Sequence, residues 1–80
     1  MSDSLQYFQT ELEEMSDAEA LSPQKCERVI YVSKWSAFVE RPNRSFVALL
    51  IRCLDRVSSI PGYKESAESC LYLLRERNLV

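Results

Sequence analysis

The fold is decided by residues 44–58, which read RSFVALLIRCLDRVS. On a helical wheel of about 100° per residue, the apolar side chains of this stretch fill about 200° of the circumference. The polar side chains Arg52, Asp55 and Arg56 lie opposite them. An apolar face of this breadth is typical of a helix at the centre of a bundle, so we predict a central helix over Arg44–Ser58.

The sequence on both sides of this helix predicts three further helices. After it, Ile60-Pro61-Gly62 predicts a turn, and the apolar spacing that follows predicts a helix ending near Arg77–Asn78. Before it, the serine and proline at Ser22-Pro23 are a helix start signal for a second long helix from Pro23 to about Val39.

The N-terminal segment has an amphipathic pattern of its own. Leu5, Phe8, Leu12 and Met15 recur at helical spacing and predict a first helix from about Ser4 to Met15. Ser16-Asp17-Ala18-Glu19 fits a capping box, which predicts a short helical turn after it.

We therefore predict an all-α fold, a small bundle of about four helices, three long plus an N-terminal one. The chain has a single glycine among 80 residues, and hairpin turns and bulges rely on glycine far more than helices do. Val29–Val32 favours a β-strand by propensity, but no second alternating segment offers it a partner. The predicted core is listed as Ile30, Ala37, Phe46, Leu50, Cys53, Leu54, Val57, Cys70 and Leu74.

Length and composition predict a single domain over residues 1–80, with an acidic N-terminal helix and turn at 1–20 and a helical core at 21–80. The chain is 46% hydrophobic and 28% charged, which favours a folded domain over disorder. No window approaches the run of about 20 apolar residues that a membrane span needs. The start of the chain lacks the features of a secretory signal, so we expect a cytoplasmic protein without membrane contact.

The residue types present argue against catalysis. The sequence contains no histidine, which is the commonest general base and the commonest zinc ligand. Its three cysteines, Cys26, Cys53 and Cys70, are too widely spaced for a metal pair, and we expect reduced thiols packed in the core. No glycine-rich phosphate loop is present. We predict neither an enzyme nor a site for a cofactor, a metal or a small-molecule substrate.

The second helix carries more apolar surface than one inward face requires. Cys26, Val29, Ile30, Ser33 and Ala37 form one face of small side chains. The other face holds three aromatic residues and two valines: Tyr31, Val32, Trp35, Phe38 and Val39. Aromatic residues are enriched at interaction hot spots, so we predict a partner-binding surface of Tyr31, Trp35, Phe38 and Val39, to which Val32 adds apolar area. The alternative is that this helix crosses the middle of the bundle and buries both faces.

Charge is segregated along the chain. Residues 1–20 contain six acidic residues and no basic ones, whereas residues 21–56 contain seven basic and three acidic ones. One interpretation is that the first helix docks beside the basic middle segment. The other is that this segment contacts an acidic partner through the following residues: Arg28, Lys34, Arg41, Arg44, Arg52 and Arg56.

The functional prediction is a non-catalytic protein–protein interaction module, namely an adaptor, regulator or inhibitor subunit that forms a homodimer. The alternative is a nucleic-acid-associated helical protein that uses the basic segment 25–56. Against this alternative, the sequence pI of about 5.1 is far below that of a simple DNA binder.

Overall fold

Four helices form the described part of the chain. The computed structural model describes residues 2–38 and 42–78, with side chains from residue 5 onward. The helices are α1 (Ser2–Asp17), α2 (Pro23–Ala37), α3 (Arg44–Ser58) and α4 (Lys64–Glu76). No strand occurs in these residues, and Val29–Val32 lies inside α2. The prediction of an all-α bundle of about four helices is confirmed.

Side-chain caps fix where α2 and α3 begin. The Ser22 hydroxyl accepts a hydrogen bond from the Lys25 backbone N–H at 3.3 Å, and Pro23 follows as the first helical residue. The Asn43 side-chain oxygen accepts from the Phe46 N–H at 2.7 Å. Helix α3 spans the predicted residues, whereas α2 ends at Ala37. The predicted end of α2 at Val39 lies outside the described residues.

The prediction of a capping box at Ser16 is wrong. Helix α1 continues through Ser16 to Asp17, and the Ser16 hydroxyl donates to the Glu13 carbonyl at 3.0 Å. A serine that bonds back to a carbonyl one turn earlier belongs to the last turn of a helix, not to the start of a new one. Residues 18–22 connect α1 to α2 without helical structure.

The turn between α3 and α4 agrees with the predicted one. Gly62 has a backbone φ of 92°, in the left-handed region that glycine enters without strain. Asn78 follows the end of α4 with φ of 59°, and asparagine is the residue that most often replaces glycine in this role.

Helix α3 is the centre of the bundle and contacts each of the other three helices. Eight of the nine predicted core residues are buried. The exception is Ile30, which is only partly buried because it lies at the edge of the buried face of α2, beside Cys70 of α4. The core also contains these residues: Phe8, Leu12, Met15, Cys26, Val29, Val32 and Ala67.

Arg56 of α3 and Arg77, directly after α4, donate hydrogen bonds to the last carbonyls of α1 and α2. Arg56 Nη1 donates to the Met15 and Ser16 carbonyls at 2.7 and 3.1 Å. Arg77 Nε donates to the Ala37 carbonyl at 2.8 Å. The last carbonyls of a helix lack intrahelical partners and carry partial negative charge, so each guanidinium ties two helices together.

Candidate interaction surface

Three aromatic side chains line the outer side of α2, as the sequence predicts. Tyr31, Trp35 and Phe38 follow one another at intervals of four and three residues, which places them on one side of the helix. Tyr31 is 54% exposed and Phe38 is 72% exposed, whereas Trp35 is half-buried. The Trp35 ring lies 4.6 Å from that of Phe8 and 6.4 Å from that of Phe46, measured between centroids. Trp35 therefore joins the exposed aromatic residues to the core.

Val32 does not belong to this surface. It is completely buried, because α2 packs against three other helices and its buried face is broader than a single inward stripe. Ser33 and Ser36 are buried as well, and their hydroxyls donate to the carbonyls of Val29 and Ser33 at 2.8 and 3.0 Å. The predicted contribution of Val32 to partner binding is wrong, and Val39 lies outside the described residues.

Helix α1 adds an aromatic residue, Tyr7, to this surface. Tyr7 is 59% exposed, and its ring lies 5.6 Å from that of Phe8. Phe8 in turn lies 6.3 Å from the Tyr31 ring, so it bridges the two exposed tyrosines from below. The only signal in the sequence is that Tyr7 adjoins the apolar stripe of α1, at its edge. We call Tyr7, Tyr31, Trp35 and Phe38 the aromatic surface.

An arginine lies at each end of the aromatic surface. Arg28 forms an ion pair with Glu11 at 3.0 Å, and its guanidinium lies 5.1 Å from the Phe8 ring centroid and 5.3 Å from that of Tyr31. The hydrogen bond that Arg28 Nε donates to the Glu11 carboxylate raises the pKa of Arg28. At the other end, the Arg77 guanidinium lies 5.3 Å from the Phe38 ring centroid. Stacked cations of this kind hold exposed rings in place and add about 0.5–1 kcal/mol each at exposed sites.

Of the six basic residues predicted to contact a partner, two make their contacts within the fold. Arg28 and Arg56 are bound to α1, through Glu11 and through the helix-end carbonyls. Both contacts agree with the interpretation that the acidic first helix docks beside the basic middle segment. Lys34, Arg44 and Arg52 are exposed, on α2 and α3. Arg41 lies outside the described residues.

The three cysteines are free, buried thiols, as expected. Burial raises the pKa of Cys53 to about 11 and also raises the pKa values of Cys26 and Cys70. Because the thiolate is the reactive form, these side chains behave as small apolar groups.

Besides the aromatic surface, the described residues contain surface grooves but no metal-binding group and no membrane-spanning helix. A surface groove of about 460 Å³ borders Tyr7, lined also by Gln6, Thr10, Glu11 and Glu14. Within the described residues, no group of three or more cysteine, aspartate or glutamate side chains has the arrangement to hold a metal ion. No helix among them has both the length and the apolar character to cross a membrane.

Comparison with known proteins finds no matching family model, no matching curated protein and no matching solved structure. The features of the described residues that point to a function are the aromatic surface and the charges around it.

Proposed function

We propose that this protein is a non-catalytic protein-interaction module, an adaptor, regulator or inhibitor subunit that self-associates through the aromatic surface. One observation carries the proposal. Of the four exposed large hydrophobic side chains in the described residues, Tyr7, Tyr31 and Phe38 lie together on this surface, whereas Tyr72 lies apart on α4. Exposed aromatic residues that adjoin one another are a feature of protein interfaces.

Self-association would stabilise a chain of this size. A chain of 80 residues buries a small core, so its folded state is marginal and gains stability from any partner that binds only the folded form. A two-fold contact would cover the same exposed rings on both copies at once. Trp35 connects the surface to the core, because its ring packs against Phe8 with the two ring centroids 4.6 Å apart.

The non-catalytic and cytoplasmic parts of the proposal depend on residue types. The sequence lacks histidine, and its buried cysteines have raised pKa values, which leaves no evident nucleophile or general base. Unpaired buried thiols are typical of proteins in reducing compartments.

The basic segment 25–56 offers less support for the nucleic-acid alternative. Arg28 and Arg56 make their contacts within the fold, and Lys34, Arg44 and Arg52 are the basic side chains that this alternative requires to contact phosphates.

Sedimentation equilibrium of the full chain tests the proposal, with Phe38→Glu as the variant and Tyr72→Glu as its control. Both positions are exposed, at 72% and 62%, so neither change disturbs the core. We expect a wild-type dimer at micromolar concentration, a dissociation constant at least tenfold higher for Phe38→Glu, and no change for Tyr72→Glu. A wild-type protein that stays monomeric at high micromolar concentration would refute self-association.

A second variant, Trp35→Glu, tests whether Trp35 is an interface residue or a core residue. Since Trp35 is half-buried against Phe8 and Phe46, the substitution places a charge beside the core as well as on the surface. We expect it to lower the unfolding free energy and to weaken the dimer. If it unfolds a protein whose wild type is monomeric, Trp35 is simply a core residue.

A further inference from the structure

We propose that a second copy of this chain docks antiparallel on α2, with the two-fold axis passing beside Tyr31. This inference rests on the proposed function and specifies the partner and its register. Two sets of observations carry it: the charged residues that flank Tyr31, and the position of Arg77 at one end of the aromatic surface.

Two exposed side chains of opposite charge flank Tyr31 on the same side of α2. Glu27 precedes Tyr31 by four residues and Lys34 follows it by three, spacings that share one side of a helix. Glu27 lies toward α4, since Tyr63 of the connection before α4 donates to Glu27 at 3.3 Å, and Lys34, seven residues after Glu27, lies on the same side of the helix. On the side of the exposed face that lies toward α4, an acidic residue thus precedes Tyr31 and a basic residue follows it, whereas Arg28 lies on the opposite side, toward α1.

An antiparallel two-fold pairing makes this pattern self-complementary. Rotation about an axis beside Tyr31 reverses the direction of α2 and keeps its α4 side facing the α4 side of the partner. Glu27 then lies opposite the partner's Lys34, and Lys34 lies opposite the partner's Glu27. The contact contains two symmetric ion pairs, and Tyr31 packs against the partner's Tyr31 between them.

The same register uses the whole exposed length of α2. Gln24 and Phe38 lie seven residues from Tyr31 in opposite directions, so Phe38 packs against the partner's Gln24. Arg28 and Trp35 lie three and four residues from Tyr31, which brings Arg28 close to the partner's Trp35. One position of the two-fold axis, beside Tyr31, therefore satisfies these two pairings together with those of Glu27 with Lys34 and of Tyr31 with Tyr31.

A parallel pairing is disfavoured by charge. It would place Phe38 beside the partner's Phe38, and since Arg77 stacks on Phe38 it would bring two arginines together. It would also align the two α2 dipoles. In the antiparallel pair, the two Phe38 side chains are about 21 Å apart along the helix, from a rise of about 1.5 Å per residue.

Disulfide cross-linking of single-cysteine additions tests the register, since the three native thiols are buried. Under mild oxidation, we expect Tyr31→Cys to cross-link to itself and Phe38→Cys not to. A mixture of Gln24→Cys and Phe38→Cys chains should give the mixed dimer, identified by mass. If Phe38→Cys cross-links readily to itself, the antiparallel register is wrong.

Charge exchange provides the second test, with sedimentation as the readout and circular dichroism to check folding. Glu27→Lys or Lys34→Glu alone should raise the dimer dissociation constant about tenfold, because each places like charges opposite one another twice. The double variant Glu27→Lys/Lys34→Glu should restore the wild-type value within about twofold. A double variant as weak as the single ones refutes the inference.

The outcomes distinguish the two proposals. A dimer that Phe38→Glu weakens but that fails the cross-linking or charge-exchange pattern leaves the proposed function standing and overturns the register. A monomeric wild type overturns both.

Discussion

Single arginines connect helices in this protein, and Arg56 shows how. Its guanidinium reaches from α3 to the Met15, Ser16 and Glu19 carbonyls, at 2.7, 3.1 and 3.4 Å. These oxygens sit where α1 ends and its backbone lacks internal partners. The planar fork of arginine suits several acceptors at once, which a lysine ammonium does not reproduce in the same geometry.

We therefore expect Arg56→Met to lower the unfolding free energy by about 1–2 kcal/mol, since it removes charge-assisted hydrogen bonds from partly buried carbonyls. Urea unfolding followed by circular dichroism measures the loss. Arg52→Met is the matched control, because Arg52 is exposed on the same helix one turn earlier, and it should change stability by less than about 0.5 kcal/mol. Equal losses for the two variants would contradict the role assigned to Arg56.

Cys53 gives the protein a predictable alkaline limit. The thiol is completely buried and donates to the Leu12 carbonyl at 3.3 Å. Burial raises its pKa from 9.0 to about 11, so the unfolded chain loses this proton at a lower pH than the folded chain does. The resulting stability is fully present below pH 9 and is lost as the pH rises toward about 11.

We expect the unfolding free energy to fall by about 1 kcal/mol between pH 8 and pH 10 through Cys53 alone. Other groups titrate in this range, so the comparison is with Cys53→Ala measured at the same two pH values. The variant is less stable throughout because it leaves a small cavity, but its decrease between the two pH values should be smaller by about 1 kcal/mol. An identical pH dependence in both proteins would argue against the raised pKa.

At the scale of whole helices, apolar burial outweighs ion pairing in holding α1 to the bundle. Leu12 is completely buried, whereas the side chains of Glu11 and Arg28 are 29% and 36% exposed. A partly exposed ion pair contributes less than about 1 kcal/mol, but loss of a buried leucine costs about 2–5 kcal/mol.

Leu12→Ala should therefore lower the urea unfolding midpoint far more than Glu11→Gln. Raising the salt concentration should reduce the small effect of Glu11→Gln and leave that of Leu12→Ala unchanged, because salt screens only the charged pair. Two variants with similar midpoints would mean that α1 is held mainly by charge.

The helices also show where sequence patterns suffice. The bounds of α3 follow from an asparagine cap and an uninterrupted apolar period, and both are local signals. The end of α1 does not follow from local signals. The sequence around Ser16 is compatible with a capping box and with the last turn of a helix, and the arginine that binds the Ser16 carbonyl, Arg56, is 40 residues away. Val32 is misassigned for a similar reason, since its burial depends on how many helices surround α2. Tyr31 and Phe38 are placed correctly because their spacing alone puts them on one side of the helix.

For the whole molecule, the segregated charge is partly neutralised within the fold. The acidic first helix accepts Arg28 at Glu11, and its C-terminal carbonyls accept Arg56. The exposed basic residues of the described part of segment 25–56 are Lys25, Lys34, Arg44 and Arg52. The last three are predicted contacts for an external phosphate backbone. The proposed dimer contact at the aromatic surface would instead be mainly apolar.

Salt dependence separates the two functional hypotheses. If Lys34, Arg44 and Arg52 each neutralise one phosphate of duplex DNA, the logarithm of the binding constant falls with a slope of about −2.7 against the logarithm of the salt concentration. Binding would then weaken about 40-fold between about 50 and 200 mM salt.

A dimer built on aromatic contacts with two peripheral ion pairs should weaken only a few-fold over the same range. We expect sedimentation to show this small change for the dimer, and fluorescence anisotropy with labelled duplex and single strands to detect no binding at the higher salt concentration. Tight nucleic-acid binding with a steep slope that Arg44→Gln and Arg52→Gln each reduce by about one would favour the basic segment as the functional surface, since each variant removes one phosphate contact.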